Sequence, residues 1–305
     1  MQYGNLGWRA GMAALAMVAA WSAAPAAAVA DEDVFGYVKG AEPLPKGAFE
    51  FTQWVTQRRD KGIGRYTAYD TKTEIEYGFT DRLSGELAIL GQSIDTSGIL
   101  IDGYVPGDKK YGLKFSGIEG SLKYNFLSAA KDPIGLSVYW AMEFSQLDPH
   151  SGQDKDIWHN EWKLLLQKFF LDDQLIVVAN GGIESTIAKR HPIDNLPAGF
   201  EWPTDEEMEI EFIGAMGVSY RVAPNWFVGV EGYYEEEHET NIGQERWSFQ
   251  AGPNVHYASK SWWATFTYLP QIKGGGSPYP GQADDDLHLI EKTKQEWRLK
   301  VGLNF

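Results

Sequence analysis

The sequence predicts an all-β protein: one transmembrane antiparallel up-and-down β-barrel of about 12 strands, with short periplasmic turns and long extracellular loops. Three observations carry that prediction. Apolar and polar residues alternate with a period of two along segment after segment. Beyond the first thirty positions there is no run of about 18 or more apolar residues, so no transmembrane helix is available. The connections between alternating segments sort into short and long in strict succession.

The N-terminal thirty residues differ from the rest. Arg9 precedes the apolar run "GMAALAMVAAW" (11–21), and small residues close with Ala28-Val29-Ala30 before Asp31. A positive start, an apolar stretch too short to span a bilayer and an A-x-A site read as a secretory signal. We therefore expect residues 1–30 to be a cleaved signal peptide and 31–305 to be the barrel, exported to the Gram-negative outer membrane. The 305-residue chain has no cysteine, which removes disulfides, thiolate metal sites and thiol nucleophiles. Its formal net charge of −15 argues against nucleic acid as a partner, since phosphate binding needs a basic face.

The strands follow in order. "TEIEYGF" sets Ile75, Tyr77 and Phe79 against Glu74 and Glu76, and "GIEGSLKYNF" sets Ile118, Leu122, Tyr124 and Phe126 against Glu119, Ser121 and Lys123. "EMEIEFIGAMGVSYRV" continues the pattern with Ile210, Phe212, Met216 and Val218 opposite Glu209, Glu211, Ser219 and Arg221. Successive side chains of a strand point to opposite faces, so each segment has one oily and one watery side. Expected spans are 47–57, 66–79, 83–94, 115–126, 134–146, 157–169, 174–187, 207–222, 226–236, 246–258, 261–271 and 290–305. Short connections at 80–82, 127–133, 171–173, 223–225 and 259–260 alternate with loops at 58–65, 95–114, 147–156, 188–206, 237–245 and 272–289. Only a closed sheet satisfies every backbone amide in hydrocarbon, so the last strand must pair with the first.

That last strand, "QEWRLKVGLNF", alternates Trp297, Leu299, Val301, Leu303 and Phe305 with polar residues and ends on its aromatic. It resembles the C-terminal signature of Gram-negative outer-membrane proteins, which implies recognition by the barrel-assembly machinery through Phe305. Trp226, Phe227, Trp262, Trp263, Phe169 and Phe170 sit beside turns, as an interfacial aromatic girdle requires.

Five stretches, "VFGYVKGAEPLPKGAFEF", "GQSIDTSGILIDGYVPGDKKYGL", "LDPHSGQDKD", "GFEWPTDEEMEIE" and "HLIEKTKQEWRLKVGLNF", resemble a family of outer-membrane β-barrels of roughly 300 residues that carries a domain-of-unknown-function label. The resemblance spans the mature chain and implies location and fold. "EYGFTDRLSGEL" is similar to a broader group of barrels linked by name to aromatic-hydrocarbon degradation.

A barrel of this size, with strands ~4.8 Å apart and tilted ~40°, has a backbone radius of about 12 Å and a bore of about 10 Å between inward side chains. Alternation points Glu74, Glu76, Glu119 and Lys123 into that lumen. It does the same for Glu161, Lys163, Glu209 and Glu211, and for Arg221, Glu231, Arg298 and Lys300. With Glu50, Glu86, Glu143, Glu184 and Lys72, which the same alternation turns inward, acids exceed bases there by roughly two to one, and acidic rings favour cations. The competing reading is a plug of ion pairs across the lumen.

Other candidate chemistry is thin. In Asp148-Pro149-His150-Ser151 neighbouring side chains diverge, so His150 is poorly placed to activate Ser151. His159 and Glu161 share a face but lack a third metal donor. The acidic runs Glu235–Glu239 and Asp284–Asp286 read as solvated loops, and no cofactor is expected. The loop aromatics Tyr104, Tyr111, Phe200, Trp202 and Tyr279 suit a constriction, a docking surface or loop-on-loop packing. The functional expectation is a non-enzymatic narrow channel or transporter for small solutes with an acidic lumen. A non-transporting closed barrel acting through its loops is the alternative, and a lipid-modifying enzyme a minor one.

Overall fold

The computed structural model describes residues 33–101, 104–239, 243–277, 282 and 284–305. The expected signal peptide lies outside the described residues, as does Tyr279. Twelve strands run β1 Phe49–Arg59, β2 Ile63–Thr80, β3 Leu83–Leu100, β4 Lys110–Leu127, β5 Gly135–Leu147 and β6 Asp154–Phe170. They continue with β7 Leu175–Arg190, β8 Glu206–Ala223, β9 Trp226–Glu239, β10 Gly243–Ala258, β11 Trp262–Gly276 and β12 Gln295–Asn304. Each pairs antiparallel with its sequence neighbours, and β1 pairs with β12, so the sheet closes into a barrel without an edge.

Phe305 extends the β1–β12 seam by one further pair. Phe305 N donates to Phe49 O at 2.9 Å and Phe49 N to Phe305 O at 3.3 Å. The two rings meet edge-on, 5.9 Å between centroids. The outer wall is apolar: Leu87 is 73% exposed, Ile89 and Val230 59% each. In water each such side chain would forgo about 1.5–3 kcal/mol of burial, so this face is built for hydrocarbon. Near the short turns the wall turns aromatic, with the Tyr257 ring tilted against both Trp226 and Trp262 at 4.9 Å between centroids. The β8–β9 turn is only Pro224-Asn225, and Asn225 takes a left-handed backbone (φ 68°), which its short amide side chain tolerates.

The strands reach further than alternation indicates. The loops expected at 58–65 and 95–114 shrink to 60–62 and 101–109 because β2, β3 and β4 continue outward. Above the bilayer both faces meet water, so the apolar rhythm fades while backbone pairing goes on. The last strand departs the other way. It begins at Gln295 rather than 290, because the chain before it turns into the barrel and buries Leu287 and Leu289.

Candidate functional site

The lumen is occupied by the chain's own N-terminal segment, residues 33–46, which joins no ladder. Val34, Phe35, Val38, Ala41 and Leu44 are all buried there. A segment outside any sheet must still satisfy its backbone amides, and here the wall's side chains do so. Glu231 on β9 is the hub. Its Oε1 accepts from Gly36 N at 2.8 Å and Thr267 Oγ1 at 2.7 Å, its Oε2 from Tyr37 N at 2.7 Å and Val38 N at 3.2 Å. Further along, Lys39 N donates to Asn180 Oδ1 (2.8 Å) and Asn180 Nδ2 returns a bond to Lys39 O (2.9 Å). Ala41 N donates to Gln167 Oε1 (2.7 Å), while Asn125 and Ser137 donate to Ala41 O.

Glycines give this plug its room. A Cβ on Gly36 would stand 2.5 Å from Thr267 Oγ1, and one on Gly217 would stand 2.5 Å from the Phe35 ring. Ion pairs and long donors complete the seat. Lys300 meets Asp33 at 2.5 Å, Lys39 meets Glu86 at 3.4 Å, and Lys123 Nζ donates to Glu42 O at 3.3 Å.

The extracellular half is closed by a lid of three loops, 60–62, 148–151 and 287–293. Lys61 is fully buried, and its Nζ stands 3.0 Å from both Tyr104 Oη and His150 Nδ1. Arg58 and Gln92 donate to Pro149 O at 2.5 and 2.9 Å. Glu291 pairs with Arg246 at 2.7 Å and lies 3.8 Å from His150 Nε2, and Lys292 pairs with Glu235 at 2.8 Å. Burial, reinforced by the charge of Lys61, holds the His150 imidazole well below its ordinary pKa. Burial likewise pushes His288 down to about 3. Glu291, which burial alone would raise, is held well below the carboxylate range by His150, Arg246 and Lys292.

The inward residues expected from alternation fall into three groups. Glu231, Lys123, Arg298 and Lys300 hold the plug. Glu74 and Glu119 bracket Lys72 at 2.9 and 2.8 Å, Glu161 pairs with Lys163, and Glu76 is buried in the β2 wall. Glu209 and Glu211 stand in the outer half, among Lys155, Arg246 and Lys292. Arg221 keeps the inward parity of β8 but sits near its periplasmic end, half-buried, where it donates to Asp172 O across the neighbouring turn.

The enzyme and metal candidates disperse. The Ser151 hydroxyl donates to Asp148 while His150 faces Lys61, so the two share no bond among the described residues. His159 bonds Glu184 and Thr186 (2.8 and 2.9 Å) rather than Glu161. No group of three metal donors occurs among the described residues. Of the loop aromatics, Tyr104 joins the lid, whereas Trp202 donates to His191 O and covers Arg190, which is loop-on-loop packing.

Between plug and lid lies a chamber of about 310 Å³. Lys39, Arg58, Lys72, Lys163, Lys292, Arg298 and Lys300 line it, against Glu119, Glu161, Glu235, Glu291 and Glu296. The acid excess of the inward pattern is thus reversed at the chamber face, because carboxylates such as Glu74, Glu86 and Glu231 are drawn back into the wall by their partners. A second cavity of about 240 Å³ lies beside it, and Trp54, Lys72, Glu119 and Arg298 line both.

Among solved structures, the COG4313 outer membrane channel from Pseudomonas putida F1 matches with 12% identity and a TM-score of 0.58, over 87% of this chain and 98% of that one. The β domain of the Bordetella autotransporter BrkA (12% identity, 85% and 100% covered) and the outer-membrane OmpT of Vibrio cholerae (11%, 87% and 100%) superpose less closely, with TM-scores of 0.46 and 0.39. At these identities the likeness is one of fold: a closed barrel of the outer-membrane type. No curated protein matches the chain. The family of unknown function DUF6662 matches residues 27–305, and the chain belongs to that family.

Proposed function

We propose that the protein is a gated outer-membrane channel for small solutes, shut at rest by its own N-terminal segment and outer loops. The observation that carries this reading is the nature of what fills the barrel. A barrel needed only as a wall can be packed solid by its inward side chains. Here the blocking pieces are a non-strand segment and loops, seated on polar wall groups, and they enclose a charged chamber. Withdrawal of residues 33–45 would open the bore past the polar groups that seat them and would also uncover the apolar wall patch of Ile176, Val178 and Ala215 on which Val34, Phe35 and Val38 pack. Strand geometry and fold support insertion in the outer membrane, with β12 and Phe305 as the segment offered to the assembly machinery. The one adjacent candidate pair, His150 and Ser151, bonds to Lys61 and Asp148 instead of to each other, which lends an enzymatic reading no support.

Planar-bilayer recording of refolded protein tests the proposal. The full chain should conduct rarely, and a variant lacking residues 33–45 should show discrete steps of a narrow pore. If the deleted variant folds into a heat-modifiable barrel yet passes no current at pH 7.5 or pH 5, the closed-barrel reading, with surface roles for the loops, replaces this one.

A further inference from the structure

Four cations converge on one indole ring inside the chamber. Lys300 Nζ lies 4.1 Å from the Trp54 centroid, Lys72 Nζ 4.7 Å, the Arg298 guanidinium carbon 5.3 Å and Lys39 Nζ 5.9 Å. The ring's negative face offsets part of their mutual repulsion, and carboxylates offset more. Asp33 serves Lys300, Glu86 serves Lys39, and Glu74 with Glu119 serve Lys72.

Arg298 differs from the other three. It belongs to no ion pair among the described residues, although it borders both cavities. Its Nε donates to Thr56 Oγ1 at 2.8 Å and Nη1 to Gly36 O at 3.0 Å, and its plane covers Tyr37 at 3.7 Å. A guanidinium has five N–H donors, so most of this fork is uncommitted. The Trp54 indole Nε1 beside it is buried without an acceptor. A buried donor left unbonded is destabilising, and a half-buried guanidinium without a counter-charge more so, unless something anionic satisfies them. Nearby Tyr37, Tyr139 and Tyr233 give the same chamber planar walls.

We propose that this chamber is a binding site for a small organic anion, a carboxylate on a planar or apolar body, with the Arg298 fork taking the carboxylate and Lys72 and Lys300 supplying the field. Arginine suits this role because its fork matches the two oxygens of a carboxylate. A cavity of about 310 Å³ has room for a single-ring acid. The inference deepens the channel reading by naming a solute class, but it concerns equilibrium binding and does not require transport.

The test therefore uses stability rather than current. The full mature chain is refolded in detergent with benzoate, benzamide or inorganic phosphate already present, so that entry past the plug is not needed. A ligand bound only by the folded state raises stability with its concentration. Benzoate should raise the unfolding temperature in a saturable way, while its uncharged isostere benzamide should not, and phosphate should do so less. In Arg298→Gln the benzoate shift should fall by tenfold or more in apparent affinity. Equal shifts with benzoate and benzamide, equal shifts with benzoate and phosphate, or no benzoate shift at 50 mM would each overturn the proposal. So would a benzoate shift retained in a folded Arg298→Gln barrel. The comparison of benzoate with benzamide on the unaltered chain stands even if that variant fails to fold. Absence of conductance in the plug-deleted barrel would sink the channel reading without touching this one.

Discussion

At its periplasmic end the lumen is closed by backbone, and at its extracellular end by charge. The plug offers amide N–H and C=O groups to wall side chains, as in Lys39 with Asn180, Ala41 with Gln167, Gly36 to Val38 with Glu231, and Gly36 O with Arg298. The lid adds pairs of charged and titratable side chains, Lys61 with His150, Glu291 with Arg246 and Lys292 with Glu235, to backbone bonds such as those at Pro149 O. Both closures seal the same chamber, yet they answer to different variables. Backbone bonds to neutral amides are indifferent to pH and little affected by salt. A cluster of buried titratable groups is sensitive to both. The difference suggests one gate that must be pulled and another that the outside medium can loosen.

The largest effect is expected where the plug's bonds converge. Glu231→Gln keeps the volume but turns an amide NH2 toward two or more donors that need an acceptor, one or two of them backbone N–H groups. Each orphaned donor costs about 1–3 kcal/mol, so the seated state should weaken by about 3 kcal/mol or more. That corresponds to an open fraction raised by roughly a hundredfold. Gly36→Val should act as strongly by a separate route, since its Cβ alone would press on Thr267 Oγ1 and Cβ at 2.5 and 2.9 Å. Single-channel recording measures both as frequent opening. Plug-deleted conductance that neither variant approaches would mean that Glu231 does not hold this gate.

Acid should act next, and only on the lid. His288 has its pKa pushed down to about 3, and His150 lies well below its ordinary 6.5. A histidine whose folded value is depressed contributes stability that is complete above about 6.5 and is lost as pH falls toward the folded value. Glu291, also depressed, adds a loss in the same direction once pH drops below about 4.5. Lys61, Arg58, Arg246 and Lys292 face this cluster and oppose any added proton, while Glu291 and Asp148 favour it. In the barrel lacking residues 33–45, where the lid is the remaining obstacle, lowering the loop-side pH from 7.5 to 5.5 should raise open probability. Each histidine can supply at most about 1.4 kcal/mol per pH unit. His150→Gln combined with His288→Gln should flatten the response above pH 5, and a response that survives both changes would remove the histidines from the mechanism.

The strands were legible because strand geometry is local. A period of two places Glu74, Glu119 and Glu231 inside without reference to any other part of the chain. The plug was not legible for the opposite reason. Its segment carries Gly36, Gly40, Pro43 and Pro45 and no sustained alternation, and its partners are remote: Gly36 and Glu231 lie 195 residues apart. One signal did bear on it, since a lumen with twice as many acids as bases needs donors from somewhere. The chamber needed more still. Trp54 meets Lys300, and Thr56 meets Arg298, through the β1–β12 register. Closure implies that those two strands pair, but not which residues face each other. Sign of charge followed suit, because alternation counts inward acids without showing which are withdrawn into the wall.

Salt should have the smallest effect, and it separates the two closures without any mutation. The lid pairs are partly wet: Glu291 and Lys292 side chains are 23% and 21% exposed. Pairs at such depth are partly screened as the Debye length shrinks from about 10 Å at 0.1 M to about 3 Å at 1 M, and a loss of about 0.5 kcal/mol is reasonable. The plug's anchors divide between neutral amides and buried charges, and its central carboxylate, Glu231, is only 2% exposed and so little screened. Raising KCl from 0.1 to 1 M, after correction for bulk conductivity, should therefore increase open probability about twofold in the plug-deleted barrel and leave the rare openings of the full chain unchanged. Equal responses in the two would mean that the plug too is held by long-range charge, with Lys39, Lys300 and Asp33 outweighing the hydrogen bonds to Glu231.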